Sequence, residues 1–280
     1  MRFKCVICLL AVLCLCAAGL GQNLVIRRNL VYRTVEGQSL TLDLLQPEEA
    51  AGPLPLVIAL HGWRKADRDL LRPVAESMAG AGYAVALAAC RPAPRWIFPA
   101  QLEDARAAVT WIRENAEMLR IDGDRCFLLG YSAGGQLAGL LGTREETAGQ
   151  FAGVMLLAAP TDLTAPPPSL QAKIAMRMYL HAEREDHPER YAAASPITHV
   201  SADDPPFLVI AGRKDDYVPP AQATRMVDAL REKDVPARLL LLPDTGHEPP
   251  ALTSPDGTAM LHALQAFLAD PHGNNPAPEK

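Results

Sequence analysis

The sequence lacks a block of basic residues. Its 27 lysines and arginines are fewer than its 32 aspartates and glutamates, and the formal net charge is −5. A protein that binds nucleic acid needs a clustered positive surface against the phosphates. The composition therefore gives no reason to expect nucleic acid as a partner.

Long apolar runs are also scarce, and the main exception lies at the N-terminus. Arg2 and Lys4 precede the apolar run 5–15, and a stretch rich in alanine and glycine follows at 17–21. This order is typical of a secretory signal peptide, and the run is short for a membrane span. We predict a signal peptide over residues 1–21 and a secreted or periplasmic mature protein without stable membrane insertion. An uncleaved membrane anchor is the alternative.

Cysteine is scarce in the mature chain, where only Cys90 and Cys126 remain. An exported protein could join them in a disulfide. The two residues are predicted at opposite ends of parallel strands, however, roughly 20 Å apart, whereas a disulfide needs Cα atoms within about 7 Å. We predict two buried thiols. Their spacing does not indicate a metal site, and we expect neither a metal nor a cofactor.

The remaining sequence alternates between strand and helix patterns. Residues 24–45 predict a two-stranded antiparallel hairpin that turns at 35–38. Continuous apolar runs, typical of parallel strands buried on both faces, occupy 55–60, 84–89, 126–131, 153–159, 206–212 and 237–243. Amphipathic helices are predicted over 100–117 and 220–233, with a last one around 260–268. The predicted fold is therefore α/β, with a mostly parallel central sheet, an N-terminal antiparallel hairpin and helices on both faces.

Two segments depart from this alternation. Residues 160–200 contain the sequence APPPS and a helical stretch with methionines near 170–183, and we predict a lid-like excursion there. The C-terminal residues 271–280 have the composition of a disordered tail. Residues 22–270 are then predicted to form one domain.

A serine between glycines follows one of the buried strands, in the segment RCFLLGYSAGGQLAGLLG at 125–142. A strand that turns sharply into a helix strains the residue at its apex and requires neighbours with almost no side chain. The pattern G-x-S-x-G is formed by Gly130 and Gly134 around Ser132, which predicts a nucleophile elbow. The alternative is a glycine-rich turn in which the serine only caps the helix.

Other strand ends supply the groups that such a serine requires. In open parallel sheets, active sites form at the carboxyl ends of the strands. Asp215 and Asp216 follow the run 206–212, and His247 follows the run 237–243. The chain order of serine, aspartate and histidine is the order expected for a catalytic triad on this type of sheet.

These motifs resemble those of the α/β-hydrolases, in the acetyl esterase and feruloyl esterase family, which is carboxylesterase-like and close to the hormone-sensitive-lipase-like esterases. The resemblance covers nearly the whole mature chain, from GQSLTLDLLQP at 37–47 to DTGHE at 244–248, and is most specific over 98–142. The segment PPFLVIAGRKDDYVPPAQA at 205–223 matches the family pattern G-x-x-D-x-x-V-P. That match selects Asp215 rather than Asp216 as the acid of the triad.

The chemistry assigns a role to each residue of the predicted triad. His247 would take the proton of the Ser132 hydroxyl, and Asp215 would fix the imidazole tautomer and stabilise the cation. Other histidines are poorer candidates, and His61 is interpreted as a structural residue that supports its loop.

The predicted oxyanion hole consists of the backbone N–H groups of Ala133 and of Trp63 or Gly62. The family often has H-G-G-G-W where this chain has only HGW at 61–63, so this loop is shorter. Trp63 and Tyr131 are the predicted substrate-binding residues. In a second departure, ACRPAP places Cys90 where the family has an aromatic ring.

The predicted function is that of an exported serine esterase, which hydrolyses short-chain, acetyl-type carboxylic esters through an acyl-enzyme, with plant polysaccharide esters as one class of substrate. A serine peptidase or amidase of the same fold is one alternative, and a non-catalytic binding protein on this fold is another. The aromatic content of 5% disfavours a long cleft that stacks sugar rings. Trp63 and a modest lid that carries Met176, Met178 and Tyr179 predict a small acyl pocket.

Overall fold

The computed structural model describes residues 23–62, 67–147 and 149–273. The predicted signal peptide at 1–21, Trp63 and residues 274–280 of the predicted tail lie outside the described residues. Within the described part of the chain, no helix is both long enough and apolar enough to span a membrane.

An eight-stranded sheet forms the centre of the molecule, in the order β1-β2-β4-β3-β5-β6-β7-β8. Strands β2 and β4 pair antiparallel, as do β1 and β2, and the remaining neighbours pair parallel. The strands are β1 (Leu24–Val35), β2 (Gln38–Pro47), β3 (Leu54–Leu60), β4 (Ala84–Ala88), β5 (Ile121–Tyr131), β6 (Gly153–Leu157), β7 (Phe207–Gly212) and β8 (Ala237–Leu242). The predicted mostly parallel sheet with an N-terminal hairpin is confirmed.

Helices cover both faces of this sheet. They are α1 (Asp67–Gly80), α2 (Ala100–Glu114), α3 (Ala116–Leu119), α4 (Ala133–Thr143), α5 (Leu170–Leu180), α6 (Pro188–Ala193), α7 (Ala221–Arg231) and α8 (Pro255–Ala269). Short 3₁₀ turns occupy Glu145–Thr147 and Pro196–His199. Helices α2, α4 and α7 contribute to the core on one face, and α1 and α8 contribute to the core on the other.

Strand β3 shows why the sequence is continuously apolar here. Leu56 and Ile58 belong to the first core, whereas Val57 and Ala59 between them belong to the second, and all four side chains are fully buried. Since successive side chains of a strand point to opposite faces, a sheet covered on both faces requires apolar residues at every position.

The hairpin turns at Glu36 and Gly37, within the predicted segment 35–38. Both residues have positive φ angles, of 52° and 76°, as a two-residue turn between twisted strands requires. The predicted turn is confirmed.

The segment predicted as an excursion, 160–200, folds onto the carboxyl edge of the sheet with a core of its own. Helix α5 falls within the predicted helical stretch 170–183, and Tyr179 and Leu180 at its end pack with Tyr191 of α6 and with Leu163.

The main differences from the sequence predictions concern β5 and α1. Strand β5 begins at Ile121 rather than at residue 126, and no bounds were predicted for helix α1. Cys126 therefore lies inside β5 instead of at its start, while Cys90 follows the end of β4. Both cysteines are free thiols, as predicted, but only Cys126 is buried, whereas Cys90 is partly exposed. Loss of solvation raises the pKa of each thiol to about 12.

Candidate active site

Ser132 lies at the apex of the sharp turn between β5 and α4. Its backbone has φ 53° and ψ −122°, a strained conformation for a residue with a side chain. The Ser132 N–H donates a hydrogen bond to the Leu157 carbonyl of β6 at 2.9 Å, which ties the strained residue to the sheet. The geometry is that of a nucleophile elbow.

Glycine is required on both sides of this elbow. A Cβ atom on Gly130 would lie 2.3 Å from the Gly134 carbonyl oxygen, and one on Gly134 would lie 2.1 Å from the Leu60 carbonyl oxygen. The first turn of α4 therefore rests directly on the backbone of β5 and of β3. The Ser132 side chain makes no capping hydrogen bond to α4, so the interpretation of this serine as a mere helix cap is wrong.

A row of hydrogen bonds joins Ser132, His247 and Asp215. The Ser132 Oγ lies 2.9 Å from His247 Nε2, and His247 Nδ1 lies 2.9 Å from Asp215 Oδ2. The second carboxylate oxygen, Asp215 Oδ1, accepts hydrogen bonds from the N–H groups of Tyr217 and Val218. A carboxylate held in this way can fix the tautomer of the imidazole, and the imidazole can accept the serine proton.

The loop that carries His247 is held against the loop that carries Asp215. A Cβ atom on Gly212 would lie 2.2 Å from the Thr245 carbonyl oxygen. The Lys214 N–H donates to that carbonyl. Asp256 at the start of α8 accepts hydrogen bonds through Oδ2 from the Asp244 N–H at 2.9 Å and from the Thr245 hydroxyl at 2.6 Å. These contacts position the histidine loop from two sides.

Two tyrosine rings flank the imidazole of His247. The ring centroid of Tyr131 lies 5.5 Å from that of His247, and the centroid of Tyr217 lies 5.1 Å from it. Tyr131 is 1% exposed and supports the imidazole from the core, while its predicted contact with substrate stays a prediction. Tyr217 is 46% exposed and stands at the mouth of the site.

The described part of the predicted oxyanion hole lies beside the elbow. Ala133 is the first residue of α4, and the first amides of a helix have no carbonyl partner within it. Gly62 is buried beside this turn, and its carbonyl oxygen lies 2.8 Å from His61 Nδ1, a contact that suits a histidine that supports its loop. Gly62 and Ala133 line the same cavity. Trp63 lies outside the described residues.

Two cavities adjoin Ala133. The smaller cavity has a volume of about 90 Å³, includes Ser132, and is covered by Met176 and Tyr179 of helix α5. The larger cavity has a volume of about 250 Å³ and lies between the hairpin and the loop around Cys90. Of the two cavities, Ser132 lines only the smaller one.

The other candidates from the sequence lie outside this row. Asp216 is exposed to solvent next to the buried Asp215. Asp104 forms a structural pair with Arg91, with 2.7 Å between the carboxylate Oδ2 and Arg91 Nε. Among the described residues, no three histidine, cysteine, aspartate or glutamate side chains are arranged as metal ligands.

Sequence reasoning did not find Asp256 or Tyr217. The sequence Ser254-Pro255-Asp256 signals the start of a helix, and Ser254 does cap α8, but this signal does not show that the Asp256 carboxylate reaches back to the histidine loop. Tyr217 occupies an unspecified position of the pattern G-x-x-D-x-x-V-P. Its contact with His247 depends on the fold of two separate loops.

The sheet, the elbow and the hydrogen-bonded row define an α/β-hydrolase fold. The BD-FAE family model matches residues 42–230, and the chain belongs to this family. The resemblance seen in the sequence is thereby confirmed.

Relatives and structural neighbours agree with this assignment. The chain is 29% identical, over 82% of its length, to the probable carboxylic ester hydrolase LipM of Mycobacterium tuberculosis and spans 58% of that protein. It is 32% identical, over 51% of its length, to the ethyl acetate hydrolase of Pseudomonas putida and spans 48% of that protein. A truncated carbohydrate esterase from gut microbiota has a similar fold, with a TM-score of 0.73 and 22% identity over 88% of this chain and 97% of the other.

Proposed function

We propose that this protein is a serine esterase that hydrolyses short-chain carboxylic esters. The observation that carries the proposal is the hydrogen-bonded row from Ser132 through His247 to Asp215, which starts at a strained elbow. Membership of the BD-FAE family and relatives named as ester hydrolases support it.

In the proposed reaction, Ser132 Oγ attacks the ester carbonyl carbon while its proton passes to His247 Nε2. The charge that develops on the carbonyl oxygen would be stabilised by N–H groups at Ala133 and Gly62, and the loop at 61–63 would complete this hole. The alcohol then leaves with the proton from His247, and the acyl group stays on Ser132. A water molecule, activated by His247, releases the acid and restores the serine.

The size of the smaller cavity supports a preference for short acyl groups. Its volume of about 90 Å³ is well below the volume of about 250 Å³ of the neighbouring cavity. A cavity of this size beside Ser132 favours an acyl chain from acetyl to butyryl over a longer one. Forcing a longer chain into a packed pocket costs about 1–3 kcal/mol, which lowers the rate about ten- to a hundredfold.

The proposal also covers where the protein acts and which esters it meets there. The N-terminal pattern at residues 1–21 supports export through a signal peptide. Export and membership of the BD-FAE family favour external esters such as acylated plant polysaccharide as substrates. A binding protein would need neither the strained serine nor its hydrogen bond to His247.

The test is a series of p-nitrophenyl esters from acetate to laurate, run beside aminoacyl p-nitroanilides. We expect the highest kcat/KM between acetate and butyrate, with a steep fall by octanoate and little cleavage of the anilides. A maximum at eight carbons or longer would contradict the small pocket, and preferred cleavage of anilides would indicate a peptidase.

The Ser132→Ala variant separates an enzyme from a binding protein. We expect it to lose about 10⁴- to 10⁶-fold in kcat, as members of a triad do, and to fold normally. Labelling by a fluorophosphonate probe should occur in the wild type and disappear in the variant. Retention of a tenth of the wild-type turnover would remove Ser132 from the nucleophile role.

A further inference from the structure

Two of the described residues line both of the cavities at the active site, and only one of them has a large side chain. Ala133 and Tyr179 line both the cavity of about 90 Å³ that contains Ser132 and the neighbouring cavity of about 250 Å³. Ala133 contributes only a methyl group and belongs to the predicted oxyanion hole. The bulk of the partition is therefore the phenol ring of Tyr179.

The ring of Tyr179 is fixed in this position. Its hydroxyl donates a hydrogen bond to Gln136 Oε1 at 3.0 Å, and Gln136 Nε2 donates to the Ala194 carbonyl at 2.6 Å. The ring packs against Phe98 with the two centroids 5.7 Å apart. Tyr179 is 6% exposed, and burial raises the pKa of its hydroxyl, so the hydroxyl stays neutral and donating.

This arrangement connects α5 of the excursion with α4, the helix that begins at the nucleophile. Gln136 lies on the first turns of α4, the helix that follows Ser132. Its hydrogen bond therefore fixes the position of the Tyr179 ring relative to that helix. The hydrogen bond to Gln136, which is itself held by Ala194, and a packed aromatic neighbour restrict the ring to one position. A wall held in this way can exclude a chain rather than yield to it.

We propose that Tyr179 determines the acyl chain length that the enzyme accepts, because it closes the small cavity against the larger one. The proposal rests on the proposed esterase activity of Ser132. It assigns the larger cavity as space that a longer acyl chain would enter once the ring is removed. Tyr179 is thus a specificity-determining residue and takes no part in the bond-making steps.

The test is the acyl series from acetate to laurate, with the alcohol held constant, on the variants Tyr179→Ala and Tyr179→Phe. For Tyr179→Ala, we expect the ratio of kcat/KM on octanoate to that on acetate to rise about tenfold or more, since the strain of overfilling is removed. Tyr179→Phe keeps the ring and should keep the wild-type order of substrates.

Met176 provides a matched control on the same helix. Its side chain lines the smaller cavity but not the larger one. Met176→Ala enlarges the cavity without opening the wall, and we expect a shift of the preferred chain by about one or two carbons, without the gain on octanoate.

Refilling the larger cavity should reverse the effect. Ala93 lines that cavity and packs against the cluster that contains Tyr179. Ala93→Phe alone should leave acetate hydrolysis unchanged, whereas in the Tyr179→Ala background it should remove most of the gain on octanoate.

The outcomes separate this proposal from the one on which it rests. If the wild type hydrolyses no ester, the proposed function fails. If the wild type is an esterase that depends on Ser132 and Tyr179→Ala keeps the wild-type order of substrates, the role of Tyr179 is overturned. Should Tyr179→Ala not fold, as judged from its fluorophosphonate labelling, Tyr179→Leu takes its place with the same expected shift and the same contrary result.

Discussion

At the scale of single residues, Asp215 and Asp216 show how burial separates two identical neighbours. Asp215 is 3% exposed, and both of its carboxylate oxygens have partners in the site. Asp216 points to solvent from the next position of the chain. Only the buried carboxylate is placed to act on the imidazole.

The Asp215→Asn variant should lower kcat by about 10⁴-fold, because the amide favours the wrong imidazole tautomer. The matched variant Asp216→Asn should change kcat less than about twofold, because surface substitutions away from buried hydrogen-bond networks have small effects. Steady-state kinetics on p-nitrophenyl acetate measures both. If the two effects were exchanged, the assignment of the triad acid would be off by one position.

The sequence was sufficient to place the three residues of the row, because each follows an apolar run and lies in a recognisable pattern. It could not reveal Tyr179 as a wall, because that role depends on the distance from α5 to α4. Tyr179 was expected only as a residue of the lid. Its hydrogen bond to Gln136, 43 positions away, has no signal in either local sequence.

At the scale of elements, the first turn of helix α8 contacts the loop that carries His247. Asp256 is 7% exposed and is the acceptor that holds the backbone of Asp244 and the hydroxyl of Thr245. The loop that carries His247 is therefore held in place by a helix that packs in the core shared with α1. We expect Asp256 to be a positioning residue that acts through this loop.

Asp256→Ala should lower kcat about tenfold while KM changes little, since the imidazole is displaced and the acyl cavity is untouched. Asp256→Asn keeps an acceptor oxygen for both bonds and should retain most of the activity. The rate of fluorophosphonate labelling offers a second measure, because it follows the activation of Ser132. A loss of stability in Asp256→Ala with an unchanged labelling rate would show that the contact is only structural.

Strand and helix positions were largely predictable, because continuous apolar runs and amphipathic patterns leave few alternatives in an α/β chain. The start of β5 was not, because Asp122, Gly123 and Asp124 interrupt the apolar run. Strand β3 nevertheless pairs with β5 at Ile121 and Asp122, with a shift of register before Cys126. Pairing between strands, rather than local composition, determines where this strand begins.

At the scale of the whole molecule, a buried ion pair joins the hairpin to the helical layer. Asp104 of α2 is fully buried and contacts Arg91 after β4 at 2.7 Å and Arg33 of β1 at 3.0 Å. The hydrogen bond that Arg91 Nε donates to Asp104 raises the pKa of the Arg91 guanidinium, which stays charged. Three separate parts of the chain thus meet at one carboxylate.

Asp104→Ala should lower the free energy of unfolding by about 3–5 kcal/mol, because it leaves buried Arg91 without its main partner. The expected decrease in Tm is about 10 °C for a chain of this size. Glu103→Ala is the control, since that carboxylate also contacts Arg91 but is half exposed, and such pairs contribute about 0–1 kcal/mol. Equal shifts in thermal unfolding for the two variants would contradict the special role of Asp104.

Among the described residues, strand β1 is the outer strand at one edge of the sheet, and an edge strand is a template for polymerisation. A regular row of unpaired backbone groups could recruit the same strand of another copy and propagate into a fibre. Strand β1 is irregular, since its pairing with β2 shifts register between Arg27 and Leu30 and between Val31 and Arg33, and Asn29 adopts a φ of 55°. We therefore expect the irregular hairpin to disfavour continuous pairing with another copy at this edge.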